Sequence, residues 1–71
     1  MIQLNDAQHE YRPGLSLAEL VEEHNARYDR KLDIEEFLVL VDGHALSTKE
    51  AKEKTVNDNE RIRVIPILSG G

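Results

Sequence analysis

The sequence predicts an α+β domain of two layers, a small sheet covered by one main helix. Three observations lead there. The segment Leu17 to Tyr28 places its apolar residues at helical spacing. Three short segments, Ile2–Leu4, Phe37–Val41 and Arg61–Ile65, are apolar or alternating at strand length. The 71 residues leave room for a single small domain, so the helix has only that sheet to cover.

Each element follows in chain order. Ile2-Gln3-Leu4 alternates, Asn5-Asp6 are turn formers, and His9-Glu10-Tyr11-Arg12 is expected to return as the second strand of a hairpin, ended by Pro13-Gly14. Ser16 with Glu19 makes a capping box, and Leu15 with Leu20 occupies the positions of a hydrophobic staple. Leu17, Leu20, Val21 and Tyr28 then share one helical face, while Glu19, Glu22, Glu23 and Arg27 project elsewhere. Early acids and a late arginine suit the helix dipole. Asp29 to Glu36 is charged and aperiodic, and reads as a loop. Phe37–Val41 has the length and branching of a central strand, Asp42-Gly43 is a hairpin turn, and Ala45-Leu46 is a short return. Ser47 and Glu50 repeat the capping box and predict helical turns to about Lys54. Asn57-Asp58-Asn59 is a turn, and the final strand ends near Pro66.

Strand parity separates two faces. Ile62 and Val64 should point at the helix, leaving Arg63, Ile65 and Ile67 on the outer face. In Phe37–Val41, if the odd-numbered residues pack under the helix, Leu38 and Leu40 join that outer face. Leu38, Leu40, Ile65 and Ile67 would then form an exposed apolar patch, the usual mark of a partner surface.

Composition narrows the function. A domain of this size buries only about 60–65% of the surface of its unfolded chain, which favours a carrier or binding module over an enzyme. Without cysteine there is no disulfide framework and no thiolate metal site. A net charge of −5 argues against nucleic acid as the main partner. No stretch reaches the roughly 20 apolar residues of a membrane span, and Met1 leads straight into Ile2-Gln3-Leu4 without a leader pattern. A cytoplasmic location is the expectation. His9, His24 and His44 match no metal-ligand spacing, and His24 reads as a boundary residue of the apolar helical face. Asp33, Glu35 and Glu36 read as a solvated loop, and Lys49, Lys52 and Lys54 as the exposed side of a short helix.

The chain closes on Leu68-Ser69-Gly70-Gly71. Two terminal glycines arise by chance at roughly one in two hundred. A terminal carboxylate becomes reactive once adenylated, and glycines without Cβ let a backbone pass through a narrow approach to another protein's ATP site. Nothing in the domain could perform that activation, for there is no phosphate-cradling glycine loop and no nucleophile–base pair.

Pro13-Gly14-Leu15-Ser16-Leu17-Ala18-Glu19-Leu20, Val39-Leu40-Val41-Asp42-Gly43 and Ile65-Pro66-Ile67-Leu68-Ser69-Gly70-Gly71 together resemble the ThiS/MoaD family of ubiquitin-like sulfur carriers. The resemblance implies a β-grasp fold with a mixed sheet of four to five strands, a domain over residues 1–68 and a tail over 69–71. It implies a carrier that is itself no enzyme, holds no cofactor and is a monomer when free. An adenylating enzyme of the ThiF/MoeB type would spend ATP on the Gly71 carboxylate, a persulfide would supply sulfur, and a synthase would accept it from the thiocarboxylate. Ser69 and Gly70 would thread the tail into the partner's tunnel, and Leu38, Leu40, Arg63, Ile65, Ile67 and Leu68 would meet the partner's surface. The helix entry and short first hairpin are similar to ThiS, which serves thiazole formation in thiamine synthesis. Pro66 and Ser69 are similar to MoaD, the small subunit of molybdopterin synthase, and Asn57-Asp58-Asn59-Glu60 departs from the Gly-Asp turn common to both. A ubiquitin-like modifier joined to lysines, and a binding module with an incidental Gly-Gly end, stay open as alternatives.

Overall fold

A computed structural model describes residues 1–67. In chain order it contains β1 (Ile2–Leu4), β2 (Ala7–His9), α1 (Leu17–Tyr28), β3 (Phe37–Val41), β4 (His44–Leu46), α2 (Thr48–Glu53) and β5 (Arg61–Pro66). The strands form one sheet in the order β2-β1-β5-β3-β4. Only β1 and β5 run parallel; the other neighbours are antiparallel. This mixed sheet, with one main helix across it, is the β-grasp arrangement.

The helix boundaries agree with the sequence because both ends carry local instructions. The Ser16 side chain accepts from the Glu19 N–H at 3.1 Å, and the Glu19 carboxylate accepts from the Ser16 N–H at 3.3 Å. At the other end Asp29 turns left-handed at φ 53°, a conformation that Asp and Asn tolerate better than most residues, and its N–H returns to the Asn25 carbonyl. α2 repeats the capping box through Ser47 and Glu50. The Asp42-Gly43 turn has φ of 50° and 85°, the double positive φ that closes a two-residue hairpin with the sheet's twist.

One expectation is corrected in the first hairpin. The return strand is Ala7–His9, not His9–Arg12, and residues 10–12 lie outside the sheet. Asn5-Asp6 is a two-residue turn, so Leu4 pairs directly with Ala7 and the return begins at once. The short apolar–polar sequence around Ala7 is too weak a strand signal to be seen without that register.

Ile2, Leu4, Leu17, Leu20, Val39, Ile62 and Val64 are almost fully buried between helix and sheet, with Leu15, Ala51 and Val56 closing the core. Each full-sized aliphatic side chain there contributes about 1.5–3 kcal/mol by leaving water. The segments flanking the two helices are also joined: Leu17 N–H donates to the Lys54 carbonyl and Val56 N–H to the Leu15 carbonyl, both at 2.9 Å. The Asp29–Glu36 loop is tied to α1 by the Asn25 side chain, which donates to the Leu32 carbonyl at 2.9 Å and accepts from its N–H at 3.0 Å.

Two side-chain expectations change. His24 is buried, not at the boundary, and Lys54 is half-buried with its ammonium 2.9 Å from Glu60. Lys49 and Lys52 are exposed as expected, Lys52 pairing with Glu35 of the loop at 2.7 Å.

Candidate functional site

The outer face of the sheet is set by register. Val39 pairs with Val64 and Val41 with Ile62, and all four point into the core. Alternation then sends Leu38, Leu40, Arg63 and Ile65 to the opposite side, where Leu38 lies across from Ile65 and Leu40 across from Arg63. Leu38 is 37% exposed, Leu40 and Ile65 are half-buried, and Arg63 is exposed. Ile67, just past β5, is 60% exposed. The structure therefore brings together the three strand residues expected in the outer patch, Leu38, Leu40 and Ile65, with Arg63 beside them and Ile67 just past the strand. Leu68, Ser69, Gly70 and Gly71 lie outside the described residues.

β5 holds this face in place from both edges. On one side it pairs with β3 from Ile62 to Pro66. On the other, β1 is too short to pair with all of β5, and Asn5 completes the ladder. Its backbone N–H donates to the Ile62 carbonyl at 2.9 Å; its side-chain amide then accepts from the Val64 N–H at 2.9 Å and donates to the Val64 carbonyl at 3.2 Å. The amide thus replaces a peptide group where the main chain has already turned away. Asn5 is itself left-handed at φ 53°, which is why a turn-tolerant residue with a peptide-like side chain suits this position. The sequence marked Asn5 as a turn former, but only the parallel β1–β5 pairing shows its second task.

A second constellation joins residues far apart in the sequence. His9 of β2 and His24 of α1 meet with Nε2 and Nδ1 3.0 Å apart, both rings buried. The Tyr28 ring covers them, at centroid distances of 6.2 Å from His9 and 4.9 Å from His24. Burial lowers the pKa of each histidine below the ordinary range; Arg27 adds to this for His9, while His9, Arg30 and Arg27 add to it for His24. Both rings are therefore held neutral near pH 7, one donating and the other accepting. They fasten the edge strand β2 to the helix. Among the described residues no three His, Cys, Asp or Glu side chains gather as a metal site, and His44 stands apart and exposed on β4.

Asp33 and Glu35 lie on the surface loop: Asp33 accepts from the Glu35 N–H at 2.8 Å, and Glu35 pairs with Lys52. Their environment gives them structural tasks in loop and helix. Among the described residues no helix is long and apolar enough to cross a membrane.

A β-grasp sheet with its helix on one side and a partly exposed apolar face on the other defines a small ubiquitin-like module. The ThiS family model matches residues 2–71, and the chain belongs to the ThiS family. Members of that family are small sulfur carriers, not catalysts themselves, that work with adenylating and sulfur-accepting enzymes. Comparison with curated proteins returns no match.

Proposed function

We propose that this protein carries sulfur as a thiocarboxylate on Gly71 and delivers it for thiazole formation in thiamine biosynthesis. The observation that carries the reading is the family match, which runs through the Gly70-Gly71 end and covers a chain without cysteine. Sulfur must then ride on something other than a thiol side chain, and the terminal carboxylate is the group suited to it. A ThiF/MoeB-like partner binds the open face through Leu38, Leu40, Arg63, Ile65, Ile67 and Leu68, and draws Ser69, Gly70 and Gly71 to its ATP.

Loading takes three steps. A carboxylate oxygen of Gly71 attacks the α-phosphorus of ATP, and pyrophosphate leaves. The terminal sulfur of the donor's persulfide attacks the acyl carbon, and AMP leaves. A second donor thiol then attacks the inner sulfur of the acyl disulfide; the S–S bond breaks, the donor is left as a disulfide, and Gly71 retains a thiocarboxylate. Adenylation matters because it turns a carboxylate oxygen into part of a good leaving group. The carrier contributes positioning alone: a rigid face to dock and a glycine end that passes where side chains would not.

Pro66 and Ser69 favour a second recipient, the large subunit of molybdopterin synthase. Incubating the loaded protein with each synthase separates the two by which one consumes the sulfur. The primary test is intact-protein mass spectrometry of the native protein. A species heavier by the replacement of one oxygen with sulfur supports the carrier; conjugates to larger proteins support a lysine modifier instead. Free carboxylate alone, with activating enzyme and persulfide donor present, refutes both.

A further inference from the structure

The outer face carries charge as well as apolar surface, and on its strands that charge is positive. Arg61 and Arg63 alternate with the buried Ile62 and Val64, so both arginines stand on the same side as Leu38, Leu40 and Ile65. They line one shallow groove together with Leu40, Asp42 and Gly43. The other outward strand positions, Gln3, Gln8 and Ala45, are neutral. No outward position on the paired strands holds a carboxylate, although the chain has 14 Asp and Glu residues. The acids sit elsewhere: Glu19, Glu22 and Glu23 are exposed on α1, and Glu50 and Glu53 on α2. Glu36 and Asp42 flank β3 at its ends, and one Asp42 oxygen is taken by the Arg61 backbone N–H at 2.9 Å. Among the described residues the ion pairs engage Arg12, Lys52, Lys54 and the Met1 amine, and neither arginine of the face.

We propose that the outer sheet face fits a protein partner whose apolar docking surface is flanked by carboxylates, which Arg61 and Arg63 engage beside the Leu38–Leu40–Ile65 patch. The proposal rests on the carrier reading and names the chemistry of the adenylating partner's surface. The physical reason lies in the contrast between net and local charge. An acidic partner repels a chain of net charge −5 in most orientations and attracts it through this face. Approach is thereby oriented before contact. Apolar contact then supplies affinity, while the guanidinium groups accept carboxylates in paired geometry and set the register.

The test uses the full chain and the ThiF/MoeB-type adenylating enzyme of the same genome, with association rate and adenylation read across a range of NaCl concentrations. Arg61→Glu with Arg63→Glu is compared with Lys31→Glu with Lys49→Glu, which changes net charge equally at exposed sites away from the face. The expected result is a fall of about tenfold or more in association rate at low salt for the arginine pair, shrinking as salt rises, with a much smaller change for the lysine pair. Circular dichroism and thermal melting of the arginine variant check that it folds, and Arg61→Gln with Arg63→Gln gives an intermediate rate if charge is the cause. Equal effects of the two charge-reversal pairs, or association of wild type that salt leaves unchanged, overturn the proposal while the carrier reading stands. Absence of adenylation of the wild-type chain overturns both.

Discussion

Replacing Asn5 should loosen the strand that leads into the carrier's tail, and the structure allows its cost to be divided. Asn5→Ala removes both side-chain hydrogen bonds to Val64 and leaves that residue's N–H and carbonyl without their partner on the β1 side. At a partly buried site, losing two such bonds costs about 2 kcal/mol, from roughly 0.5–1.5 kcal/mol each. Alanine at φ 53° adds about 1 kcal/mol that asparagine largely avoids. The expected total is about 3 kcal/mol, against about 4–10 kcal/mol for the stability of a domain this size. Asn5→Gly isolates the first part, since glycine accepts the left-handed backbone freely but offers no amide. It should lose about 2 kcal/mol. Urea denaturation would measure both, and the Val64 amide should exchange with solvent much faster in either variant. At roughly 4–8 °C per kcal/mol, the alanine variant should melt about 12–24 °C below wild type. If Asn5→Gly is as stable as wild type and Val64 stays protected, the side-chain amide is not completing the ladder and the reasoning fails.

Other perturbations probe other parts of the molecule. The pKa of both His9 and His24 is lowered in the folded state, so the unfolded chain binds more protons once pH drops below about 6.5. Stability should be intact above that pH and decline below it as pH falls toward the folded-state values; urea midpoints at pH 7.5 and 5.5 should differ more for wild type than for His9→Leu with His24→Leu. Leu20→Ala, at a position 1% exposed, should cost about 2–5 kcal/mol by calorimetry, and a loss below 1 kcal/mol would mean that the core collapses around the gap. Ile65→Asp should weaken binding of the adenylating enzyme more than it lowers the melting temperature, because Ile65 faces outward; unfolding instead would show that the outer face is structural. Deleting Gly71 should abolish adenylation and leave the melting temperature nearly unchanged.

The elements readable from sequence were those whose instructions are local. Capping boxes at Ser16 and Ser47 fix a helix start through residues three apart, and Asp42-Gly43 closes a hairpin whatever the rest of the chain does. The outer patch was readable for a related reason: alternation assigns Leu38, Leu40 and Ile65 to one side once a single face of each strand is buried. β2 was misplaced because Ala7-Gln8-His9 has little intrinsic strand character and is recruited by its register with β1.

His9 and His24 are 15 residues apart and became a buried pair only when an edge strand met the back of the helix. By itself, the sequence determined the helices, the central strands, the two sides of the sheet and the Gly-Gly end, all of which depend on residue type at short range. Tertiary structure decided what distant polar groups do. It turned the Asn5 amide into a rung of the sheet and paired two histidines out of reach of water. Such groups take their roles from partners that arrive through folding, because a polar atom removed from water must find its hydrogen bond wherever the fold brings one.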